Sequence, residues 1–374
     1  MTPAAWLALF DGRAARLASD LEQLVVRESP SEDPARVSAL SAWVRDRLDE
    51  RGVAARTQIC EGAGDAVVAE VGSDDGGALV LGHLDTVWPA GTLREIPFRV
   101  DGDRATGPGI FDMKAGVAVA MAAMEALVAN GDGAATLLLV PDEEIGSSGS
   151  RALTIALARR HRRVLVLEPS DDGAAKIARK GTGLFHLRFR GRAAHAGLEP
   201  ERGASALAEL ARAVLFLERL ADAGSQTTVV PSRARSGGRT NVVPEEGELS
   251  VDVRVWSREE ADRVEASIRA YRPDDPRVTV SVEGGFDRPP LVPTPESLAL
   301  YERARGVARE LGFELAASRV GGASDGNLTA AVGLPTLDGL GPRGGGAHAR
   351  DEFVRMSDLP RRAALLCALV AADA

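Results

Sequence analysis

The sequence is poor in the features that mark disulfide-rich, membrane-spanning and nucleic-acid-binding proteins. Its 374 residues include only two cysteines, Cys60 and Cys367, which excludes a disulfide framework and a cysteine-based metal motif. No apolar run approaches the ~20 residues that a membrane-crossing helix needs. The formal net charge is -9, and an acidic chain argues against nucleic acid as a partner. We therefore expect neither a membrane nor a nucleic acid among its partners.

The beginning of the chain shows no convincing targeting signal. Residues 1–10 carry no basic flank and only a short apolar stretch, unlike a secretory signal peptide. Hydrophobic residues make up 45% and charged residues 26% of the sequence, a composition typical of globular proteins. The length favours two domains. We expect a cytoplasmic protein of two domains.

Short apolar runs alternate with helical segments in the first part of the chain. The runs are Val67–Val71, Ala78–Leu81, Ala135–Val140 and Val164–Leu167. They lack polar alternation, which predicts buried strands of a parallel sheet. The segment Met113–Asn130 predicts a crossover helix. Such an alternation of strands and helices is typical of a layered α/β domain.

The pattern changes after about residue 178. Gly183–Arg190 and Glu248–Trp256 alternate between apolar and polar residues, which predicts strands with one covered and one open face. The order β-α-β-β-α-β of the ferredoxin-like arrangement is completed by helical segments at Glu199–Leu220 and Arg258–Tyr271 and by strands at Thr227–Pro231 and Arg277–Val282. After a proline-rich linker, the sequence again shows the pattern of an α/β domain. We predict that residues 1–178 and 290–374 form one α/β domain, into which residues 179–289 are inserted as a second domain.

Five residues of types that bind metals are spread through the α/β part of the chain: His83, Asp112, Glu144, Glu168 and His348. Three of them, His83, Glu144 and Glu168, stand just past a predicted strand. In open α/β sheets, ligand sites lie beyond the carboxyl ends of the strands. Imidazole and carboxylate groups suit zinc and similar divalent ions. The sequence therefore predicts a metal site at this edge of the sheet.

Each of these residues also has an ordinary structural interpretation. A lone histidine after a strand is often structural, Asp112 could cap the following helix, and Asp142–Glu144 could be a solvated acidic loop. Two neighbours favour chemistry instead. Asp85 lies two residues from His83 in an extended segment, so its carboxylate can orient the imidazole ring. Glu143 and Glu144 are adjacent and point in different directions, so one of them can bind metal while the other holds an attacking water molecule.

Six short motifs occur in order along the chain. They are Gly82-His83-Leu84-Asp85-Thr86, Gly107-Pro108-Gly109-Ile110-Phe111-Asp112-Met113-Lys114, Asp142-Glu143-Glu144, Glu168-Pro169, Gly191-Arg192-Ala193-Ala194-His195-Ala196-Gly197 and Thr240-Asn241-Val242-Val243-Pro244. In this order they resemble the M20 metallopeptidase family, and within it the glutamate carboxypeptidase (carboxypeptidase G2-like) branch. The resemblance extends over nearly the whole chain.

The resemblance implies a zinc-peptidase-like α/β catalytic domain with an inserted ferredoxin-like lid or dimerisation domain. It also implies two zinc ions, which cobalt or manganese could replace, with Asp112 bridging them. His83 and Glu168 would hold one ion, and Glu144 and His348 would hold the other. The family further has a cis peptide bond after its bridging aspartate, here between Asp112 and Met113.

The remaining roles also follow from the resemblance. Glu143 would be the general base, and Asp85 would act with it by orienting His83. His195 would stabilise the oxyanion, often from the partner subunit of a homodimer formed through the inserted domain. Four residues would contact the substrate: Asn241, Arg254, Gly322 and Ser324. For Arg254 the chemistry is apt, because a guanidinium binds a carboxylate through two parallel hydrogen bonds.

The expected reaction is hydrolysis of an amide bond beside a free carboxylate, in a small peptide or an N-acyl amino acid, with a preference for glutamate-like residues. An N-acyl amino-acid deacylase or a dipeptidase is an alternative within the same family. Outside it, Gly322–Gly326 fits the G-x-S-x-G pattern of serine hydrolases, with Ser324, Asp338 and His348 in the chain order of their triad. A non-catalytic metal-binding assembly protein is a third alternative.

Overall fold

The computed structural model describes residues 1–72 and 76–371. Two compact units are formed by the chain. The α/β unit contains Met1–Ala178, Pro293–Val320 and the residues from Ser324 onward, and the inserted unit contains Arg179–Val292 and Gly321–Ala323. The chain thus returns to the α/β unit at Pro293 rather than at residue 290.

Helices and strands alternate through most of the described chain. The helices are α1 (Pro3–Asp11), α2 (Ala14–Val25), α3 (Pro34–Asp49), α4 (Ala115–Asn130), α5 (Arg151–Ala158), α6 (Ala206–Glu218), α7 (Arg258–Ala270), α8 (Pro295–Glu310), α9 (Gly326–Ala331) and α10 (Asp358–Ala371). The strands are β1 (Ala54–Ile59), β2 (Asp65–Val71), β3 (Ala78–His83), β4 (Arg99–Asp101), β5 (Arg104–Thr106), β6 (Ala135–Val140), β7 (Arg163–Val166), β8 (Ala175–Arg179), β9 (Gly181–Arg190), β10 (Thr228–Ser236), β11 (Glu246–Val255), β12 (Thr279–Arg288), β13 (Ala317–Val320), β14 (Thr336–Leu337), β15 (Gly344–Gly345) and β16 (Phe353–Arg355).

The main sheet of the α/β unit has the strand order β1-β2-β6-β3-β7-β14. Strands β6, β3, β7 and β14 are parallel. The apolar runs predicted this for β3, β6 and β7, whereas β14 was not predicted. The prediction was wrong for Val67–Val71, because β2 pairs antiparallel with both β1 and β6. The reason is the short connection to β3, which is parallel to β6. Only six residues separate β2 from β3, so the chain reverses its direction between them, whereas parallel strands need a long crossover. Strand β1 precedes β2 after a similarly short connection and was not predicted from the sequence.

Both faces of this sheet are covered, which explains why its strands read as unbroken apolar runs. In β3, Ala78 and Val80 belong to the large hydrophobic cluster that includes α4 and α10. Leu79 and Leu81 face the other way, into a smaller cluster with α5. The helices that cover the sheet are short or contain polar residues. Among residues 1–72 and 76–371, no helix is both long enough and apolar enough to cross a bilayer.

Helix α4 begins at Ala115, two residues later than predicted. Asp112 therefore lies three residues before the helix begins. The dihedral angles of Asp112 (φ -113°, ψ 94°) and Met113 are not helical. The peptide bond between these two residues is cis, as the resemblance implied. Lys114, rather than Asp112, precedes the first helical residue. The interpretation of Asp112 as a helix cap is therefore wrong, and its carboxylate points elsewhere.

The inserted unit has the predicted ferredoxin-like order, with four antiparallel strands arranged β10-β11-β9-β12. Residues of β9 and β11 alternate strictly between buried positions and partly or fully exposed ones. Helices α6 and α7 pack on the apolar face. Helix α6 begins at Ala206 instead of residue 199, because Pro200–Arg202 forms a separate 3₁₀ turn and the Ser205 side chain caps the helix.

A pair of glycine substitutions tests how closely α4 approaches the strand end that precedes Glu168. An added Cβ at Gly116 would lie 2.2 Å from the carbonyl oxygen of Leu167, whereas one at Gly306 in α8 would meet no atom within 4 Å. We expect Gly116→Ala to lower the free energy of unfolding by about 1–3 kcal/mol. Gly306→Ala should raise it by about 0.5–1 kcal/mol.

Urea denaturation of the two variants and the wild type measures both effects. A stabilising Gly116→Ala substitution would contradict the close approach of α4 to the end of β7.

Candidate metal centre

Three neighbouring strands of the α/β unit end at the same edge of the sheet. His83 is the last residue of β3, which lies between β6 and β7. Glu143 and Glu144 form a 3₁₀ turn shortly after β6, and Glu168 follows β7 by two residues. Because β6, β3 and β7 are parallel, their carboxyl ends bring these four side chains to one rim.

Two further residues reach this rim from turns. Asp112 arrives from the irregular segment before α4. His348 arrives from the turn between β15 and β16, where its φ of 63° is unusual for a residue other than glycine. Nothing local in the sequence indicates this backbone conformation. His348 is also the most exposed of the group, with 50% of its side-chain surface accessible, whereas His83 is 1% exposed.

The carboxylate of Asp112 lies between the two imidazoles. Its Oδ1 is 3.2 Å from His83 Nε2, and its Oδ2 is 3.3 Å from His348 Nε2. His83 Nε2 is also 3.5 Å from Glu168 Oε1, and His348 Nε2 is 3.2 Å from Glu144 Oε1. The side chains thus form two imidazole–carboxylate pairs that share one carboxylate, Asp112.

These side chains are suited to hold divalent ions. Two overlapping sets of nitrogen and oxygen atoms lie within 4.8 Å of one another: one in His83, Glu143 and Glu168, and another in His83, Asp112 and Glu144. Several carboxylates crowded into a mostly buried pocket repel one another unless a cation is present. Neutral imidazole nitrogens and carboxylate oxygens are the ligands that zinc accepts.

The titration behaviour of these groups shows how strongly the pocket favours positive charge. Burial opposes protonation of His83, but hydrogen bonds to Asp112 and Asp85 and the charge of Glu168 outweigh it and raise its pKa well above its usual value. Hydrogen bonds to Asp112 and Glu144 raise the pKa of His348 to about 10. Burial raises the pKa of Asp112, yet the two imidazoles more than compensate and hold it well below its usual range.

Asp85 joins His83 to the turn that carries the two glutamates. Its backbone carbonyl lies 3.0 Å from His83 Nδ1, and its carboxylate lies 3.4 Å from the same nitrogen. The carboxylate also accepts hydrogen bonds from the backbone N–H groups of Glu143 and Glu144, each at 3.1 Å. A single buried residue therefore orients one imidazole, through its backbone carbonyl and its carboxylate, and holds the backbone of both glutamates.

Sequence reasoning missed two residues that support this turn. Ser31 donates from Oγ to the Asp85 carboxylate at 2.7 Å. Asp142, the first of the three consecutive acids, is fully buried and accepts hydrogen bonds from Gly149 N–H and Ser150 Oγ. Burial raises the pKa of Asp142. The three acids thus do not form a solvated loop, because the first of them anchors the turn from inside the protein.

His195 lies in an exposed turn of the inserted unit. Its Nδ1 accepts hydrogen bonds from the backbone N–H groups of Gly197 (3.1 Å) and Leu198 (3.2 Å). A neutral imidazole whose Nδ1 accepts carries its proton on Nε2, so this ring presents an N–H donor. Asn241 lies beside it, since His195 pairs with Val242 and the Asn241 carbonyl accepts from Ala196 N–H.

Two other predicted substrate contacts have partners within the inserted unit. Arg254 donates from Nε and Nη2 to the two carboxylate oxygens of Asp252, at 2.8 and 2.9 Å. One edge of its guanidinium group is therefore paired with Asp252, and contact with a substrate carboxylate stays a prediction. The backbone carbonyl of Gly322 accepts from Arg179 Nη1 at 3.2 Å.

The structure gives Ser324 a structural role instead of the predicted substrate contact. The residue is fully buried, its Oγ donates to Asp338 Oδ2 at 2.6 Å, and it accepts from Gly326 N–H. A serine nucleophile needs an exposed Oγ beside a histidine base. His348, the histidine of the supposed triad, lies instead against Asp112 and Glu144. The geometry therefore does not support the serine-hydrolase alternative.

Comparison with known proteins identifies related sequences and folds. Residues 79–372 match the sequence description of peptidase family M20/M25/M40. Carboxypeptidase G2 from Pseudomonas sp. (strain RS-16) is 32% identical over 362 residues, 94% of this chain and 87% of that protein. A succinyl-diaminopimelate desuccinylase from Alkalilimnicola ehrlichii is 31% identical over 310 residues, 74% of this chain and 79% of that protein.

The fold also has close counterparts among solved structures. The crystal structure of aminopeptidase PepT from Bacillus cereus matches with a TM-score of 0.79 at 22% sequence identity. The match covers 96% of this chain and 98% of that one. At this level of identity, the likeness shows a shared fold.

Replacing His83 tests whether the rim binds metal. We expect His83→Ala to weaken zinc binding by more than about 100-fold, beyond the loss typical of changes next to a ligand, because the variant lacks a nitrogen that faces two carboxylates. Isothermal titration of the metal-free protein with zinc measures the affinity. The matched control is His186→Ala, which removes an exposed histidine of the inserted sheet. Equal zinc affinity in the two variants would contradict a metal site at His83.

Proposed function

The chain belongs to peptidase family M20/M25/M40, and from this membership we propose a two-metal hydrolase that cleaves an amide bond beside a free carboxylate. The observation that carries the proposal is the Asp112 carboxylate, whose two oxygens face two separate histidines at 3.2 and 3.3 Å. A shared carboxylate of this kind suits a pair of ions that act together on one substrate.

The proposed ligands follow the two side-chain pairs at the rim. His83 and Glu168 would hold one zinc ion, His348 and Glu144 would hold the other, and Asp112 would bridge them. Cobalt or manganese could take the same places, because the ligand set contains only nitrogen and oxygen. When bound, the ions lower the pKa of a water molecule towards neutrality and stabilise negative charge on the carbonyl oxygen of the substrate.

Glu143 is the proposed general base. Its carboxylate has an oxygen within 4.8 Å of potential ligand atoms of His83 and Glu168, so it reaches the place where an attacking water would lie. Its backbone N–H donates to the Asp85 carboxylate at 3.1 Å, which holds the turn that presents its side chain. Glu143 would take a proton from the water during attack and then deliver it to the leaving amine.

His195 is the proposed donor to the oxyanion. The two backbone N–H groups on Nδ1 leave the proton on Nε2, as a donor to a developing negative charge requires. We propose that the protein forms a homodimer through the inserted unit and that each subunit supplies His195 to its partner's metal centre.

The proposed substrate is a small peptide or N-acyl amino acid from which a C-terminal, glutamate-like residue is released. Support comes from the similarity to carboxypeptidase G2, which extends over 94% of the chain. Arg254, whose Nε and Nη2 pair with Asp252, would bind the substrate carboxylate. The similarity to a desuccinylase favours one alternative, removal of an acyl group from an N-acylated amine or amino acid by the same centre.

The substitution Glu143→Ala tests the mechanism. We expect this variant to keep both ions and to lose about 100- to 10,000-fold in kcat, the usual contribution of a general base. The assay is a panel of N-acyl amino acids and dipeptides, with N-acyl glutamates expected to be the best substrates. Metal content is measured on the same samples. Glu302→Ala, which removes an exposed glutamate of α8, is the matched control and should behave as the wild type.

The same panel separates the alternatives. Chelation should abolish activity and added zinc should restore it, whereas a serine-directed phosphonate should have no effect. Undiminished kcat in Glu143→Ala would remove this residue from the mechanism. If the zinc-loaded wild type hydrolyses no member of the panel, the non-catalytic metal-binding alternative gains support.

A mixing experiment tests whether His195 acts from the partner subunit. His195→Ala alone should lose about 100- to 1,000-fold in kcat, the usual effect of removing an oxyanion donor. After subunit exchange between His195→Ala and Glu143→Ala, activity should return to about a quarter of the wild-type value, because half of the dimers are mixed and each mixed dimer has one complete site. Without any recovery after verified exchange, His195 would have to act within its own subunit.

A further inference from the structure

A buried carboxylate outside the proposed ligand set holds the backbone around Asp112. Glu352 is 1% exposed, and each of its two oxygens accepts two hydrogen bonds. Oε1 accepts from the backbone N–H groups of Phe111 (2.8 Å) and Asp112 (3.0 Å). Oε2 accepts from Gly109 N–H and from the indole Nε1 of Trp88, both at 2.9 Å. All four donors therefore converge on one side chain.

The sheet geometry explains how Glu352 reaches this segment. Strand β16 pairs antiparallel with β5, and Phe353 lies opposite Thr106. The next residue beyond this pair on one strand is Glu352, and on the other strand it is Gly107, where the segment leading to Asp112 begins. The pairing of β5 with β16 thus ends just before Glu352. Beyond this point, the side chain of Glu352 holds the segment that leads to Asp112, in place of a partner strand.

Glu352 is also tied to the turn that carries His348. Its backbone N–H donates to the carbonyl of Ala349 at 3.1 Å, and the N–H of Ala349 donates to Gly346 at 2.8 Å. Two successive turns therefore connect His348 to Glu352. Glu352 is therefore linked through its backbone to the turn of His348 and through its side chain to the backbone of Asp112.

We propose that Glu352 is a positioning residue for the metal centre, which fixes the bridging carboxylate of Asp112 relative to His348. This inference rests on the proposed function. Asp112 and Met113 have non-helical dihedral angles, and the N–H groups of Phe111 and Asp112 donate to Glu352. Without Glu352, three buried backbone N–H groups lose their acceptor, and the segment would rearrange to satisfy them. Asp112 would then present its oxygens at altered positions to both ions.

The test is the metal affinity of Glu352→Gln. The glutamine keeps the size of the side chain but replaces one accepting oxygen with an NH₂ group, which faces two N–H donors. We expect both ions to bind about 10- to 100-fold more weakly, as is usual when a partner of a metal ligand is changed. The measurement is a titration of metal-free protein with cobalt, followed by its visible absorption, and with zinc by competition with a chelator.

A matched control separates positioning from general loop anchoring. Glu28 also clamps a loop through backbone N–H groups, those of Gly91 and Leu93, at 2.8 and 2.9 Å. Glu28→Gln should lower the melting temperature but leave metal affinity unchanged. If Glu352→Gln does not fold, Glu352→Asp decides the question, because it retains the charge but is too short to reach all four donors.

A second readout distinguishes Glu352 from the proposed base. Excess metal should restore most of the kcat of Glu352→Gln, since the residue acts only through the ligands, but it should not restore Glu143→Ala. Wild-type metal affinity in Glu352→Gln, with a melting temperature lowered as in Glu28→Gln, would overturn the inference and leave the proposed function intact. Failure of the wild type to bind any divalent ion would overturn both.

Discussion

The structure depends on the accumulation of negative charge at one edge of the main sheet of the α/β unit. Asp112, Glu143, Glu144 and Glu168 bring four carboxylates to the same rim, and two imidazoles are their immediate neighbours. Carboxylates so close together are unfavourable unless positive charge compensates them. The same carboxylates raise the pKa values of His83 and His348, because they stabilise the protonated imidazoles. A divalent cation compensates this negative charge more fully than protons do, and the chemistry proposed for the protein follows from that.

Such a concentration of charge has to be held by the rest of the α/β unit. The sheet itself fixes His83, because β3 is buried on both faces between β6 and β7. Other members of the site come from turns, and buried carboxylates hold those turns through backbone N–H groups. Asp85 holds the turn of Glu143 and Glu144, and Glu352 holds the segment of Asp112. Acidic residues therefore serve two purposes in this centre: some face the ions, and others order the backbone that presents them.

In the inserted unit, hydrogen bonds orient the side chains that are proposed to contact the substrate. Helices α6 and α7 cover one face of its sheet, and the turn with His195 and Asn241 lies outside the regular elements. Two backbone N–H groups select the tautomer of His195 before any substrate is present. Arg254 is paired with Asp252. The Asp252 carboxylate thus orients the guanidinium group that is proposed to recognise a substrate carboxylate.

The sequence by itself determined the fold class, the parallel strands β3, β6 and β7, the ferredoxin-like order of the inserted unit and the family. Apolar runs, strict apolar–polar alternation and ordered motifs are local patterns, so they can be recognised from the sequence alone. Only the tertiary structure decided that β2 runs antiparallel, that Asp112 stands before its helix instead of capping it, that Ser324 is buried, and that Glu352 holds the segment of Asp112. These features depend on partners distant in sequence: Glu352 lies 240 residues from Asp112, and no local pattern records that contact. Side chains that bind metals can be recognised by their type, but the groups that orient them are defined by what the folded chain brings next to them.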